Sequence, residues 1–315
     1  MSNEKEKNLE ISIDEAIFHS YNFIHRDLNN KENKLIDLHI HSNYSDGELT
    51  PKELLNLAKD NNIGIMSLTD HDTVLGNKEI FRILGKDINI VSGIEMTAYV
   101  PKGQMHILGY DIDIYNRELN KVLDELKDNN INYLISLLAR LKKDYGIAFN
   151  YDDIKELVNT KGRVGRPSIA KLCVKYGYAK TIREAFDKYL VSVYEKVKDE
   201  NKWLTYEDCI TLIKNSGGIP VLAHPNTLQL SNSELLDLLK KLKECGLEGI
   251  EAYHSSHSSD DIKKFLEIAD DYNFLVSGGS DFHGVNVKPD IEIGRGNNDN
   301  LSLKRLSVLE KMKKF

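Results

Sequence analysis

The chain has 315 residues, of which 41% are hydrophobic and 29% are charged, so it is long enough to bury the core of one large domain. Its net charge of −7, without a lysine or arginine block, argues against a protein that coats duplex nucleic acid. There is no apolar run typical of a signal peptide or a membrane span, and the three cysteines are far apart, so we expect free thiols, a cytoplasmic location and no membrane partner.

The first predicted element is a helix that starts at Ser12, where Ser12 and Glu15 have the spacing of a capping box. An apolar stripe follows at helical spacing, made of Ile17, Tyr21, Ile24 and Leu28. We interpret residues 1–33 as an N-terminal helical extension that docks on the rest of the chain.

From residue 34 onwards, short apolar runs alternate with amphipathic segments, a pattern that predicts parallel β/α units. The helix after the first run is well marked, with Thr50 as N-cap, Pro51 in the first turn and Glu53 closing a capping box. Seven strands are predicted: LIDLHI, GIMSLT, INIVSG, MHILGY, IPVLAH, EGIEAYH and FLVSGG.

The alternation stops between about Arg117 and Glu200, where a long helical stretch is followed by shorter helices. This pattern indicates an inserted helical subdomain, residues 117–200, that caps one end of a barrel formed by residues 34–116 and 201–315.

Polar side chains cluster where the predicted strands end. Alternate residues of a strand face the same way, so His39 and His41 project together, as do Asp281 and His283. In a parallel barrel, the carboxyl ends of the strands surround one mouth. Nine candidate ligands would meet there: His39, His41, Asp46, His71, Glu95, His106, His224, Asp281 and His283.

A mixed set of imidazoles and carboxylates without cysteine suits manganese, zinc or iron. Nine side chains exceed one coordination sphere, so we expect two to three divalent ions, with manganese as the first expectation and Glu95 as a natural bridge. The alternative is nine polar residues that each satisfy an ordinary structural role. Bound ions lower the pKa of water towards roughly 7 and would supply hydroxide for hydrolysis. His254 ends the sixth strand and is a candidate catalytic proton donor or substrate contact.

The segments DLHIHSNYSDG, LTDHDT, GIEMTA, AHP and GGSDFHG resemble the motifs of the PHP family, named for polymerase and histidinol phosphatase. The resemblance covers about residues 34–285 and implies a distorted seven-stranded (β/α) barrel with metal-dependent phosphoesterase activity. It also implies one ion held by His39, His41, Glu95 and Asp281, a second by Glu95, His106 and His224, and a third by Asp46, His71 and His283.

Within the helical insertion, Arg166 precedes Pro167 at a predicted helix start, a combination suited to binding phosphate. A surface arginine at a routine helix start is the alternative. GRPSIAKLCVKYG and EAFDKYL resemble the insertion of the PHP branch that acts on nucleoside 3′,5′-bisphosphates and trims RNA from the 5′ end. That branch usually has histidine where this chain has Ser168, so we take Arg166 and Ser168 as candidate substrate contacts.

The leading interpretation is a phosphoesterase that removes the 3′-phosphate of nucleoside 3′,5′-bisphosphates, with short single-stranded RNA bearing a 5′-phosphate as a further substrate. Histidinol-phosphate phosphatase is the first alternative, and the long helical insertion counts against it. A non-catalytic PHP accessory module is the second, and the complete set of nine ligands counts against it. Nothing in the sequence indicates a stable protein partner.

Overall fold

The computed structural model describes residues 12–20, 28, 33–83, 87–100, 103–159, 165–197 and 203–312. A seven-stranded sheet in the order β1 to β7 forms the centre of the fold. Its strands are β1 Leu35–Ile40, β2 Ile63–Leu68, β3 Asn89–Ala98, β4 Met105–Tyr110, β5 Ile219–Leu222, β6 Gly249–His254 and β7 Leu275–Gly279. All seven predicted strands are therefore present. A small hairpin is added by β8 Ile291–Glu292 and β9 Gly296–Asn297.

The sheet curls into a nearly closed barrel. Just beyond the paired strands, the Asp281 amide donates to the His39 carbonyl at 2.8 Å, and the His41 amide donates to the Phe282 carbonyl at 2.9 Å. Gly279 allows this approach, because a Cβ there would collide with the His39 backbone nitrogen. The expected distorted seven-stranded α/β barrel is confirmed.

One strand runs against the others. β1, β2 and β3 pair in parallel, as do β5, β6 and β7, whereas β4 is antiparallel to both of its neighbours, β3 and β5. The expectation of uniformly parallel β/α units is therefore wrong for β4. As a result, the start of β4, and not its end, lies at the mouth.

Twelve α-helices surround or extend the barrel in the described residues. They are α1 Ile13–Ser20, α2 Pro51–Asp60, α3 Leu75–Ile83, α4 Arg117–Tyr145, α5 Tyr151–Asn159, α6 Arg166–Lys175, α7 Ile182–Ala185, α8 Val191–Val197, α9 Tyr206–Asn215, α10 Asn232–Glu244, α11 Ser259–Tyr272 and α12 Ser307–Met312. A π-helical turn, Phe186–Leu190, joins α7 to α8. The predicted capping box of α2 is present, with Thr50 accepting from the Glu53 amide. No helix of these residues is both long and apolar enough to cross a membrane.

Helix α4 connects two apolar cores. Its 29 residues give a length of about 43 Å. Leu119 and Leu123, near its start, are buried in the core around the barrel. Leu134 and Leu141, further along, are buried in a separate core of residues between Tyr133 and Val197. The apolar packing thus changes partway along one continuous helix, while the division of the chain at residues 117 and 200 stays a prediction.

The chain leaves β4 at the end of the barrel opposite the mouth. There the Asp113 amide donates to the Ser216 carbonyl at 2.7 Å, just before β5. After the helical segment, the chain returns next to the carboxyl end of β3, which is at the mouth. There the Tyr99 amide donates to the Leu204 carbonyl at 2.8 Å. The chain therefore leaves the barrel at the end opposite the mouth and rejoins it level with the mouth.

The N-terminal helix α1 begins as predicted, with the Glu15 amide donating to the Ser12 hydroxyl at 3.1 Å. Its buried residue is Phe18, which packs edge-on against Phe81, whereas Ile17 is exposed. The predicted apolar stripe is thus wrong at Ile17, and its members Tyr21 and Ile24 lie outside the described residues.

Candidate metal centre

The structure brings all nine candidate ligands to the mouth of the barrel. Most lie at or just beyond the ends of their strands, as expected, but Glu95 lies within β3, and His106 lies at the start of β4, which is at the same mouth because that strand is antiparallel. His224 and Asp281 leave their strands with φ angles of 21° and 56°. Residues other than glycine rarely adopt such angles, and they concentrate at functional sites.

Glu95 is the centre of the cluster. It lies within β3, and its carboxylate is buried. Five imidazole nitrogens surround its two oxygens: His106 Nδ1 and His224 Nε2, each 2.8 Å from Oε1, and His41 Nε2 at 3.1 Å, His39 Nε2 at 3.2 Å and His71 Nδ1 at 3.3 Å from Oε2.

Two aspartates extend the cluster on either side of His41 and His283. Asp281 Oδ1 lies 3.3 Å from His41 Nε2 and 3.4 Å from His283 Nδ1. Asp46 Oδ1 lies 3.3 Å from His41 Nδ1 and 3.2 Å from His283 Nε2. Asp46 Oδ2 is 3.7 Å from His71 Nε2. The nine groups therefore form overlapping sets of three or four ligands.

Contacts behind the cluster orient individual imidazoles. His39 Nδ1 lies 2.9 Å from Glu251 Oε1, and His224 Nδ1 lies 3.0 Å from the Thr227 hydroxyl. If these nitrogens donate outwards, the Nε2 lone pairs of the neutral rings face the Glu95 oxygens. Two acceptors that face each other require a cation between them, either a proton or a metal ion.

Two buried imidazole nitrogens favour a metal ion, and not a proton, as the cation at this site. His41 Nε2 and His71 Nδ1 have no hydrogen-bond partner of suitable geometry, although each lies close to a carboxylate oxygen. Buried polar atoms are normally paired, so an unpaired imidazole nitrogen beside a carboxylate indicates a missing ligand. The donor set fits divalent transition metals.

The charges of the cluster are strongly coupled. Burial raises the pKa of Glu95, but the surrounding imidazoles of His71, His106 and His39 outweigh it and hold this pKa well below its usual range. Burial lowers the pKa of His39, but Glu251, Glu95 and Asp281 raise it to about 10. Without metal, the cluster thus retains protons, which bound cations would displace.

Sequence reasoning did not identify Glu251 or Lys288. Glu251 is fully buried in β6, and its second oxygen accepts the His224 amide at 2.8 Å. A lone acidic residue within the apolar run GIEAYH was the available signal. Lys288 lies in the loop after β7, with Nζ 2.6 Å from Asp281 Oδ2. No local pattern marks that lysine.

His254, the candidate catalytic residue, lies at the edge of this cluster. It is buried, and the Ser256 amide donates to its Nδ1 at 3.1 Å. In the neutral ring the proton therefore resides on Nε2, which is 3.3 Å from Asp281 Oδ2. Its catalytic role stays a prediction.

Arg166 and Ser168 lie in the first turn of α6, among the inserted helices. The Arg166 guanidinium carbon is 4.0 Å from the ring centroid of Tyr194 and 6.0 Å from that of Phe186. The Ser168 amide donates to the Gly165 carbonyl at 3.1 Å. In the part of the chain that the structure describes, no hydrogen bond or ion pair joins either residue to the nine-ligand cluster.

The barrel and its cluster define a metal-dependent hydrolase. Comparison with known proteins agrees: the profile of the PHP domain matches residues 37–276, and the chain belongs to the PHP family of metal-dependent phosphoesterases. The 3′,5′-nucleoside bisphosphate phosphatase of Chromobacterium violaceum is 31% identical over 79% of this chain and 87% of its own length. The 5′-3′ exoribonuclease Rnm of Salmonella typhimurium is 31% identical over 83% of this chain and 88% of its own length.

A solved structure from Bifidobacterium adolescentis, named as a candidate metal-dependent phosphoesterase, has the same fold. It superposes with a TM-score of 0.68 and 28% identity, and the match covers 84% of this chain and 93% of that protein. The expected family and enzyme class are therefore confirmed, whereas the individual ligands and the substrate stay predictions.

Proposed function

We propose that this phosphoesterase removes the 3′-phosphate of nucleoside 3′,5′-bisphosphates, and that short RNA with a 5′-phosphate is a second substrate. The observation that carries the proposal is the cluster of all nine candidate ligands on the same chain as Arg166, which is stacked on an aromatic ring. The names of two relatives, each 31% identical, support the two substrates.

Three ions would be held by overlapping parts of the cluster, as the family motifs imply. The first set is His39, His41, Glu95 and Asp281, the second is Glu95, His106 and His224, and the third is Asp46, His71 and His283. Manganese is our first choice, with zinc or iron as alternatives. Bound ions supply charge neutralisation and an activated water molecule.

Arg166 is suited to hold the phosphate that is not hydrolysed. Its guanidinium lies 4.0 Å from the Tyr194 ring, which restricts its rotation while its edge stays available for hydrogen bonds. The Ser168 hydroxyl, in the first turn of α6, adds a donor near it. A second anchored phosphate fixes the reacting one and supplies binding energy away from the reacting centre.

His254 would complete the reaction. Its Nε2, which lies 3.3 Å from Asp281 Oδ2, is proposed to give its proton to the ester oxygen that leaves. We place the reaction in the cytoplasm, since all three cysteines are free.

Steady-state kinetics on four substrates tests the proposal. We expect adenosine 3′,5′-bisphosphate to exceed AMP and histidinol phosphate in kcat/KM by at least about tenfold, or ~1.4 kcal/mol. Short RNA with a 5′-phosphate should be cleaved as well. Equal rates on AMP and the bisphosphate would remove the second phosphate site, and a preference for histidinol phosphate would favour that phosphatase instead.

Metal analysis tests the ligand assignment separately. The purified or reconstituted enzyme should contain more than one divalent ion per chain, because nine ligands exceed one coordination sphere. A protein with one ion or none, and without activation by manganese, zinc or iron, would contradict the three-ion arrangement and favour a non-catalytic module.

A further inference from the structure

The loop that follows β7 brings a lysine to the cluster. Lys288 Nζ lies 2.6 Å from Asp281 Oδ2, and 38% of its side chain is exposed. Lys288 is therefore in contact with a candidate metal ligand and partly exposed at the surface.

Several contacts fix the loop that carries this lysine. The Glu48 carboxylate accepts the Asn286 amide at 3.1 Å, and the Glu48 amide donates to the His283 carbonyl at 2.7 Å. The Lys288 amide donates to the Gly284 carbonyl at 2.9 Å. Gly284 has a φ of 100°, and a Cβ there would collide with Glu48. The backbone of Lys288 is thus held in place.

The two oxygens of Asp281 face different groups. Oδ1 faces the imidazoles of the cluster, 3.3 Å from His41 Nε2 and 3.6 Å from His39 Nε2. Oδ2 faces Lys288 and, at 3.3 Å, His254 Nε2. Asp281 thus has the candidate metal position on one side and, on the other, the Lys288 ammonium that donates to it and the nearby His254 nitrogen.

A lysine opposes the binding of divalent cations nearby, because like charges repel. The same ammonium favours a phosphate anion that binds to those cations, and lysine is a common phosphate ligand as a point charge. The position of Lys288 at the open edge of the cluster fits the second role.

We propose that Lys288 is a catalytic residue that binds a non-bridging oxygen of the phosphoryl group being hydrolysed. It acts by charge, stabilising the phosphoryl oxygens in the transition state. This assignment rests on the proposed function, in which Arg166 holds the phosphate that is not hydrolysed. Lys288 therefore affects every phosphate ester, whereas Arg166 affects only those with a second phosphate.

Lys288→Met and Lys288→Arg, with Lys263→Met as control, test this role. Lys263 is an exposed lysine of α11 paired with Glu267, so its replacement makes the same change in charge far from any assigned role. For AMP and 4-nitrophenyl phosphate, Lys288→Met should lower kcat/KM about 100-fold, and Lys288→Arg should retain most of it. Calorimetry on the metal-loaded protein should show the Kd of inorganic phosphate rising at least about tenfold in Lys288→Met only.

Metal content and melting temperature distinguish substrate binding from a structural role. Both should stay unchanged in Lys288→Met. Loss of metal in proportion to rate, or tighter metal binding with full activity and unchanged phosphate affinity, would overturn the proposal, because Lys288 would then act only on Asp281. A different result is that the wild-type enzyme shows no preference for the bisphosphate while Lys288→Met still impairs AMP hydrolysis. That result would contradict the proposed substrate but support the proposed role of Lys288.

Discussion

The mouth of the barrel and the helices that follow β4 use charge in opposite ways. At the mouth, Glu95 and most of its imidazole partners are buried, and each charge is compensated by neighbours within about 3–4 Å. In the inserted helices the core is apolar, and ion pairs such as Lys196–Asp144 lie at the surface. Surface pairs of this kind contribute little to stability.

In the proposed function, this difference separates the reaction from substrate choice. The strands of the nearly closed barrel and the turns that follow them fix the groups of the cluster, so a small displacement there affects several candidate ligands at once. Arg166, by contrast, depends on two aromatic rings of neighbouring helices. We therefore expect changes at the mouth to affect all substrates and changes in the inserted helices to affect only some.

Replacing Glu95 should have the largest effect. Glu95→Gln keeps the volume but removes the charge shared by five imidazoles, so we expect metal stoichiometry to fall and kcat to drop at least about a thousandfold for every substrate. Elemental analysis and kinetics on AMP and the bisphosphate measure this. Retained metal and activity would show that Glu95 is not a ligand.

Glu251→Gln should give an intermediate effect. The amide weakens the contact that orients His39, and loss of such an outer contact typically costs 10–100-fold in metal affinity or activity. Titration of the metal-free variant with manganese, followed by assay at saturation, separates affinity from turnover. Wild-type metal affinity and wild-type turnover would show that Glu251 does not contribute to the active site.

Arg166→Ala should have a smaller and selective effect. We expect kcat/KM for the bisphosphate to fall about tenfold, with AMP hydrolysis and metal content unchanged, because only the second phosphate loses its partner. Arg183→Ala is the matched control, since Arg183 lies in the same helical segment and 92% of its side chain is exposed. An equal loss on AMP would contradict the separation of reaction from substrate choice.

The last expected effect is on stability and not on activity, and it concerns the metal-free protein. The pKa of His39 is about 10 in the fold and 6.5 in the unfolded chain, so its contribution is present below pH 6.5 and is lost as the pH rises through about 10. The melting temperature after chelation should therefore fall over this range, and less so in Glu251→Gln, which lacks the largest source of the raised pKa. An equal fall in both proteins would contradict this origin.

The sequence predicted the seven strands and the clustering of the nine candidate ligands because both depend on local patterns. Apolar runs mark buried strands, and alternation places His39 and His41 on one face. The direction of β4 could not be predicted in this way, since an apolar run of six residues has the same composition in either orientation. Nor could the contact of Glu251 with His39, which depends on how distant strands pack, or that of Lys288 with Asp281, which depends on the conformation of the loop between them.

The continuity of α4 has a consequence for how this protein can be cut or recombined. A deletion that began at Arg117 would remove Leu119 and Leu123 from the core around the barrel, exposing apolar surface on the remaining fragment. A junction after Leu126 and before Tyr133 would leave both cores whole. The unit that could be exchanged between relatives therefore begins inside a helix, and a chimera would have to match its helical phase there.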